Sequence, residues 1–270
     1  MKLSLLKALY IDTLVPFYAR SEGENIFYIV LEHLDKKSKI DILLGAETFN
    51  VELYQSILEA LKQGTPVQYL TQMAPFYNLE LFVNPSVLIP RPETEQLVHL
   101  VLDENRGAHK KVLDIGTGSG CIALALKNEW KEATISACDI SEEALVVARK
   151  NASDLALKVD FYQTDILINE IAVYDILVSN PPYISPSEKD AMHINVIENE
   201  PHIALFVDDI DPLVFYKRII QLAEKQRAIC YFETSEFYRT SLETWLEEGE
   251  YSFEWKADFQ GKDRILKVIW

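Results

Sequence analysis

The sequence predicts an α/β protein in which a mainly parallel sheet is covered on both faces by helices and preceded by a small helical domain. Three observations carry this expectation. From Lys110 onward, apolar strand-like runs and helical stretches take turns, the pattern that places parallel strands between layers of helix. The first seventy or so residues instead repeat apolar side chains at helical spacing. Between the two regions, around FYNLELFVNP, apolar positions recur at the two-residue period of a strand.

In the helical region, SEGENIFYIVLEHLD places Ser21 and Glu24 at capping-box spacing, and Ile26, Phe27, Val30, Leu31 and Leu34 form one apolar stripe. NVELYQSILEALKQG repeats the pattern with Val51, Tyr54, Leu58 and Leu61 until Gly64 supplies a C-terminal stop. GTPVQYL then leads into FYNLELFVNPSVLIP, where Leu79, Leu81 and Val83 alternate before Asn84-Pro85 turns the chain. A β-hairpin joining two domains is expected there.

Beyond the hairpin, KKVLDIG precedes a helix from about Cys121, TISACDI precedes EEALVVARKNA, VDFYQTD precedes a loop, and YDILVSN runs into NPPY. PLVFYKRIIQLAEKQ, AICYFETS, a helix near Leu242 to Glu247, YSFEWKADF and RILKVIW complete the series. The expected divisions are a helical domain over residues 1–73, a hairpin linker over 74–90 and an α/β domain over 91–270.

Charge and composition exclude several classes of function. Acidic residues number 42 against 26 basic ones, a formal net charge of -16, whereas proteins that grip long nucleic acids through their phosphates carry the opposite balance. Direct nucleic-acid binding is therefore not expected. Cys121, Cys138 and Cys230 are odd in number and lack CxxC spacing, so they read as reduced thiols packed as small apolar groups. Histidines are scattered singly, and no metal site is expected. MKLSLLKALYIDTL is interrupted by Lys7 and Asp12, and no run approaches the ~18 apolar residues of a membrane span. A soluble, cytoplasmic, monomeric protein without a membrane partner is the expectation.

DIGTGSG, Asp114 to Gly120, leaves a predicted strand and enters a predicted helix, the context of a nucleotide-binding loop. Gly116, Gly118 and Gly120 allow a tight turn and a close approach to a ligand. Their spacing is G-x-G-x-G, not the G-x-G-x-x-G that seats a pyrophosphate. Asp139 ends the next predicted strand, where a carboxylate can accept both hydroxyls of a ribose or cap the helix that follows. Asp165 ends the third, placed to accept from an adenine amino group, with Ile166 as an apolar cover for the ring. Together these residues describe an adenosine ligand without a diphosphate, which fits S-adenosylmethionine better than NAD.

The stretch VSNPPYIS, starting at Val178, follows the fourth predicted strand. Its prolines fix φ and hold the backbone extended, either as a plain end to a buried strand or as a support for Asn180 and Tyr183. The Asn180 side-chain oxygen and the Pro181 carbonyl are two acceptors that can take the two N–H groups of a planar NH₂. Such a nitrogen gains positive charge as it is methylated, so two fixed acceptors favour the transition state. Tyr183 would lie against the planar group and exclude water. No strong general base is demanded, because the nitrogen sheds its proton once it is cationic.

DIGTGSGCIALAL, ACDIS and VSNPPYI resemble the Rossmann-like S-adenosylmethionine-dependent methyltransferases, in which (Asn/Asp)-Pro-Pro-(Tyr/Phe) marks methylation of a planar nitrogen. GTPVQYL, VLIPRPETEQLV, NEPHIALF and the closing DFQGKDR are similar, within that group, to the release factor glutamine methyltransferases, the PrmC or HemK family. The resemblance runs from about Gly64 to the C-terminus, and a helical N-terminal region is also found in that family. It implies a mainly parallel seven-stranded sheet and methylation of the glutamine side-chain amide in the Gly-Gly-Gln motif of peptide chain release factors. By matching motif positions, Gly116, Thr117, Gly118, Ser119, Gly120, Asp139, Asp165, Ile166 and Asn180 would contact the cofactor. Asn180, Pro181, Pro182 and Tyr183 would hold the glutamine, with Arg91, Glu93 and Thr94 bordering the pocket. The helical domain would dock the release factor. Two stretches depart from the pattern. Ile166 stands where relatives often carry an aromatic, and FETSEF, Phe232 to Phe237, stands where they tend to show Glu-(Ile/His)-Gly; this second stretch is expected to lie away from the pocket.

Two other readings remain open on the residues. A nucleic-acid amino methyltransferase would present the same NH₂ geometry to NPPY, but it must flip a base and grip a backbone, against which the acidic balance counts. A non-catalytic module docking to a translation factor would keep the fold without turnover. A dehydrogenase fits the glycine spacing least.

Overall fold

The computed structural model describes every residue except 108, 185–197, 208–209 and 259–260. Ser185 of VSNPPYIS and Phe259-Gln260 of DFQGKDR thus lie outside the described residues. The chain forms two compact units, the first built from Met1–Met73 and joined by Glu198 and Asn199, the second from the remainder.

The first unit consists of α1 (Leu3–Leu14), α2 (Arg20–Asp35), α3 (Lys39–Leu43), α4 (Val51–Lys62) and α5 (Val67–Thr71). Its core gathers Leu3, Leu6 and Tyr10 of α1, Phe27, Val30 and Leu31 of α2, and Tyr54 and Leu58 of α4, the residues that helical spacing aligns on one face. Within this core the Tyr10 hydroxyl donates to the Tyr54 carbonyl at 2.5 Å. The expected Ser21/Glu24 capping box does not form. The Gly23 amide already bonds to the Ala19 carbonyl, so the helix begins at Arg20 and Ser21 lies past the capping position. Glu24 pairs instead with Lys7 at 3.6 Å. A reciprocal cap occurs at α3, where the Ser38 amide donates to the Asp41 carboxylate at 2.8 Å.

At the start of the second unit, whose first residue is Ala74, comes the hairpin β1 (Met73–Phe76) and β2 (Leu79–Phe82). Its two turn residues, Tyr77 and Asn78, have φ of 47° and 62°, as a two-residue hairpin turn matched to strand twist requires. Leu79, Leu81 and Val83 are buried as their alternation implies. Asn151 bonds both the amide and the carbonyl of Phe82, which ties the second strand of the hairpin to α8.

Helix α6 (Pro92–Asn105) follows, with Pro92 in its first turn. Then come β3 (Lys111–Ile115), α7 (Cys121–Glu129), β4 (Thr134–Asp139), α8 (Glu142–Asp154), β5 (Asp160–Gln163), β6 (Ile176–Ser179), α9 (His202–Leu205), α10 (Val214–Glu224), β7 (Ile229–Glu233), α11 (Arg239–Glu248), β8 (Ser252–Ala257) and β9 (Asp263–Ile269). The seven strands lie in the order β5-β4-β3-β6-β7-β9-β8. The first five run parallel and β9 runs antiparallel to both β7 and β8. The α/β class and the seven strands thus match expectation.

Strand periodicity divides the core between the two faces. Val112, Ile176 and Tyr231 point to the side covered by α6 and α7. Their neighbours Leu113, Leu177 and Phe232 point to the side covered by α10 and α11. Chain direction fixes where a ligand can sit. From β3 the chain winds to β4 and β5, and from β6 it winds the opposite way to β7, so the crevice lies between the carboxyl ends of β3 and β6.

Candidate active site

A cavity of ≈ 170 Å³ opens at that crevice. Gly116, Gly118, Asp139, Asp165, Ile166, Asn180, Pro181 and Pro182 line it, together with Ser86–Leu88 beyond the hairpin and Phe215 and Ile219 of α10. The glycine loop, the residues after β4 and β5, and the start of NPPY therefore meet on one space. Thr117, Ser119, Gly120, Tyr183, Arg91 and Glu93 are not on its wall.

Gly116 and Gly118 adopt φ of +73° and +53°, and a Cβ built on either would meet nothing within 4 Å. Their bare backbone faces open space. Gly120 differs: a Cβ there would come within 3.1 Å of Leu124 and 3.2 Å of Ala148, so its bareness serves the packing of α7 against α8. Four of the loop's amides are committed inside the fold. Gly116 and Thr117 donate to the Cys138 carbonyl, Gly120 donates to the Thr117 carbonyl, and Gly118 donates to Asp139 at 2.9 Å. These four amides are therefore not free to cradle a diphosphate, whose recognition uses unpaired N–H groups.

Thr117 is buried and donates to Asp114 at 2.6 Å. Asp114 also accepts the Ala123 amide at 3.2 Å, while its other oxygen and the Ser119 hydroxyl are buried without a protein partner. Burial pushes the Asp114 carboxyl up to about 7, with the Thr117 and Ala123 hydrogen bonds opposing the shift. Thr117 thus braces the loop from behind.

Asp139 ends β4, and it is Ser141 that caps α8, accepting from the Ala144 amide at 3.1 Å. Asp139 braces this turn by accepting from the Ser141 amide at 3.0 Å. Burial raises its pKa above the ordinary carboxylate range, against the bonds from Ser141 and Gly118. Each carboxylate oxygen keeps further lone-pair capacity for hydroxyl donors. Asp165 lies two residues past the end of β5 and accepts from the Leu167 amide at 2.9 Å. Buried Ile166 is anchored through its carbonyl, which accepts from Arg218 Nε at 3.0 Å.

Around NPPY, the Asn180 Nδ2 donates to the Thr94 hydroxyl at 3.2 Å. Thr94, in the first turn of α6, in turn donates to the Glu233 carboxylate at 2.6 Å. Parallel pairing of Ser179 with Phe232 places Glu233 beside Asn180 at the strand ends. No residue of FETSEF lines the cavity, but strand register brings its Glu233 behind NPPY, nearer than the sequence implies. Burial pushes the Glu233 carboxyl up to about 7; Thr94 and the cations Arg264 and Arg91 oppose the shift, and Glu93 adds to it. Half-buried Tyr183 has its hydroxyl pushed up to about 12, chiefly by burial, so it is a neutral ring near neutral pH. Arg91 reaches Glu200 at 2.5 Å, and Glu200 also accepts the Ile89 amide.

Sequence reading passed over Glu233, Asn151 and Glu200. Glu233 had the signal that singled out Asp139, an acidic residue at the end of a predicted strand. Asn151 carried one too, as a lone polar residue three and seven places beyond Ala148 and Ala144 on the inner face of α8. Cys138 and Cys230 are buried free thiols, while Cys121 is half-buried.

Residues 93–203 match the family model for the methyltransferase small domain. Along nearly its whole length the chain is similar to a curated relative from Flavobacterium psychrophilum, 38% identical over 96% of each chain, named a release factor glutamine methyltransferase. The chain belongs to the release factor glutamine methyltransferases. A family relative from Bacteroides thetaiotaomicron is 43% identical over 84% of this chain and 85% of its own. Among solved structures, the fold resembles the hMettl16 catalytic domain bound to an RNA hairpin (TM-score 0.56, 17% identity, 84% of this chain and 85% of that one). A methyltransferase from Pyrococcus furiosus is similar in fold as well (TM-score 0.52, 15% identity, 82% of this chain and 98% of that one).

Proposed function

We propose that this protein transfers a methyl group from S-adenosylmethionine to the side-chain amide nitrogen of the glutamine in the Gly-Gly-Gln motif of peptide chain release factors. The observation that carries this reading is the single cavity on which the glycine loop, Asp139 and Asn180–Pro182 meet. The committed loop amides favour an adenosine without a diphosphate. Asp139 would accept the ribose hydroxyls, Asp165 the adenine amino group, and Ile166 would cover the ring.

The cofactor supplies an electrophilic methyl on a sulfonium, and transfer forms N–C as S–C breaks. Asn180 Oδ1 and the Pro181 carbonyl would accept the two N–H groups of the glutamine amide and hold its nitrogen in line. These acceptors gain strength as the nitrogen becomes cationic, which is transition-state stabilisation by fixed dipoles. Alignment of this sort can supply on the order of 7–11 kcal/mol. Tyr183, neutral and half-buried, would shield the amide from water. The proton leaves the cationic nitrogen last. Nucleic acid would not be a substrate, in keeping with the net charge of -16.

The test is transfer of labelled methyl from S-adenosylmethionine to a full-length release factor, beside duplex DNA and ribosomal RNA controls. Labelling confined to the release factor, and lost when its motif glutamine becomes alanine, is the expected result. Labelling of nucleic acid alone would overturn the reading in favour of a base amino methyltransferase.

A further inference from the structure

We propose that Thr94 and Glu233 form a polarity relay that sets which end of the Asn180 side-chain amide faces the cavity. The inference rests on the reading of Asn180 as a substrate acceptor and adds two positioning residues to it. A primary amide has nearly the same shape at its oxygen and nitrogen ends, yet one accepts and the other donates. Packing alone therefore cannot choose between the two orientations. A hydrogen-bond partner of fixed polarity can.

That partner is the Thr94 hydroxyl. It has one proton to give, and the proton is directed at Glu233 Oε2 at 2.6 Å. An ionised carboxylate only accepts, so the Thr94 oxygen is left with lone pairs alone to offer Asn180. Asn180 meets it with Nδ2 at 3.2 Å, which turns Oδ1 the other way. The reverse orientation would set the Asn180 oxygen against the Thr94 lone pairs and present a donor to a substrate NH₂. Thr94 is 2% exposed and Glu233 6% exposed, so little water is at hand to repair a wrong pairing. Glu233 is also held through its backbone, since its carbonyl accepts from the Tyr216 hydroxyl at 3.2 Å.

Protonation of Glu233 removes the fixed polarity. A neutral carboxyl can donate to Thr94, whose own proton is then free to turn toward Asn180 and draw Oδ1 inward. The groups facing Glu233 are Arg91 and Glu93 at the start of α6, Arg264 on β9, Tyr183 after β6, Tyr216 on α10 and Cys121 on α7. The two arginines favour the ionised form and Glu93 opposes it.

The test compares methyl transfer to the release factor and calorimetric cofactor affinity for the native protein and the variants T94V, T94S, E233Q and N180A. T94V removes the polarised hydroxyl with little change of shape and should lower kcat about 10–100-fold, with the cofactor Kd within about twofold of native. T94S should return kcat to within about threefold of native. Native kcat should fall below an inflection near neutral pH, and in E233Q that inflection should be absent. T94V with near-native kcat beside an inactive N180A, or an inflection persisting in E233Q, overturns the relay and leaves the role of Asn180 intact. Near-native turnover in N180A instead overturns the acceptor reading itself, so the two failures are told apart.

Discussion

The Thr94 hydroxyl donates to the Glu233 carboxylate at 2.6 Å although 139 residues separate the two in the chain. One residue lies in the first turn of α6 and the other closes β7, and their bond stands directly behind Asn180. The back of the cavity is thus tied to β7, an element whose local sequence carries no sign of that neighbour. The front is the NPPY segment that the motif does mark.

Asn180→Ala should abolish methyl transfer while leaving most of the cofactor affinity, because it removes an acceptor aimed at the substrate. Asp139→Ala should act chiefly on the cofactor, weakening its affinity about 10–100-fold through lost charge-assisted hydrogen bonds. Parallel turnover and calorimetric titrations measure the two effects. An Asp139→Ala variant with native cofactor affinity would remove Asp139 from the ribose site.

Gly120→Ala should destabilise the fold by about 1–3 kcal/mol. The φ of +83° is strained for alanine, and the new methyl would press on Leu124 and Ala148. Gly118→Ala has open space at its Cβ and should lose less stability but more cofactor affinity. Urea midpoints rank the stabilities, and equal losses in the two variants would contradict the division of roles in the loop.

Asn151→Ala should cost about 2–4 kcal/mol, as several buried hydrogen bonds break at once. Its side chain accepts from the Phe82 amide at 2.7 Å and donates to the Phe82 carbonyl at 3.0 Å and the Ser119 carbonyl at 2.9 Å. It therefore joins the hairpin to the glycine loop. Amide hydrogen exchange should quicken at both Phe82 and Gly118; faster exchange at the hairpin alone would show that the link to the loop carries nothing.

Stability should fall as pH rises from 5 to 8. The Asp114 and Glu233 carboxyls are raised to about 7 in the fold, whereas in the unfolded chain they titrate near ~4. Between those values the folded state holds more protons, so raising the pH favours unfolding. Asp114→Asn keeps an oxygen to accept from Thr117 and Ala123 and should narrow the gap in urea midpoint between pH 5 and 8. An unchanged gap would mean that Asp114 contributes nothing to it. The contribution at stake is on the order of 3 kcal/mol.

The sequence by itself determined the elements and the residue types at their ends. Period-two and period-3.6 patterns are local properties of the chain, so the strands, the helices and the hairpin follow from them. Glycines and prolines fix φ locally, so the positions of the tight loop after β3 and the rigid segment after β6 were legible too. Acidic residues closing β4 and following β5 could be read as a ribose and an adenine acceptor for the same reason. Tertiary structure alone decided which long-range partners meet. Strand order and the Ser179–Phe232 register bring Glu233 beside Asn180, and no local pattern encodes that neighbour. Packing of α7 on α8 decided that Gly120 is bare for contact rather than for a ligand. Hydrogen-bond polarity works over about 3 Å, so the orientation of the Asn180 amide exists only once the sheet has brought three distant segments within that reach.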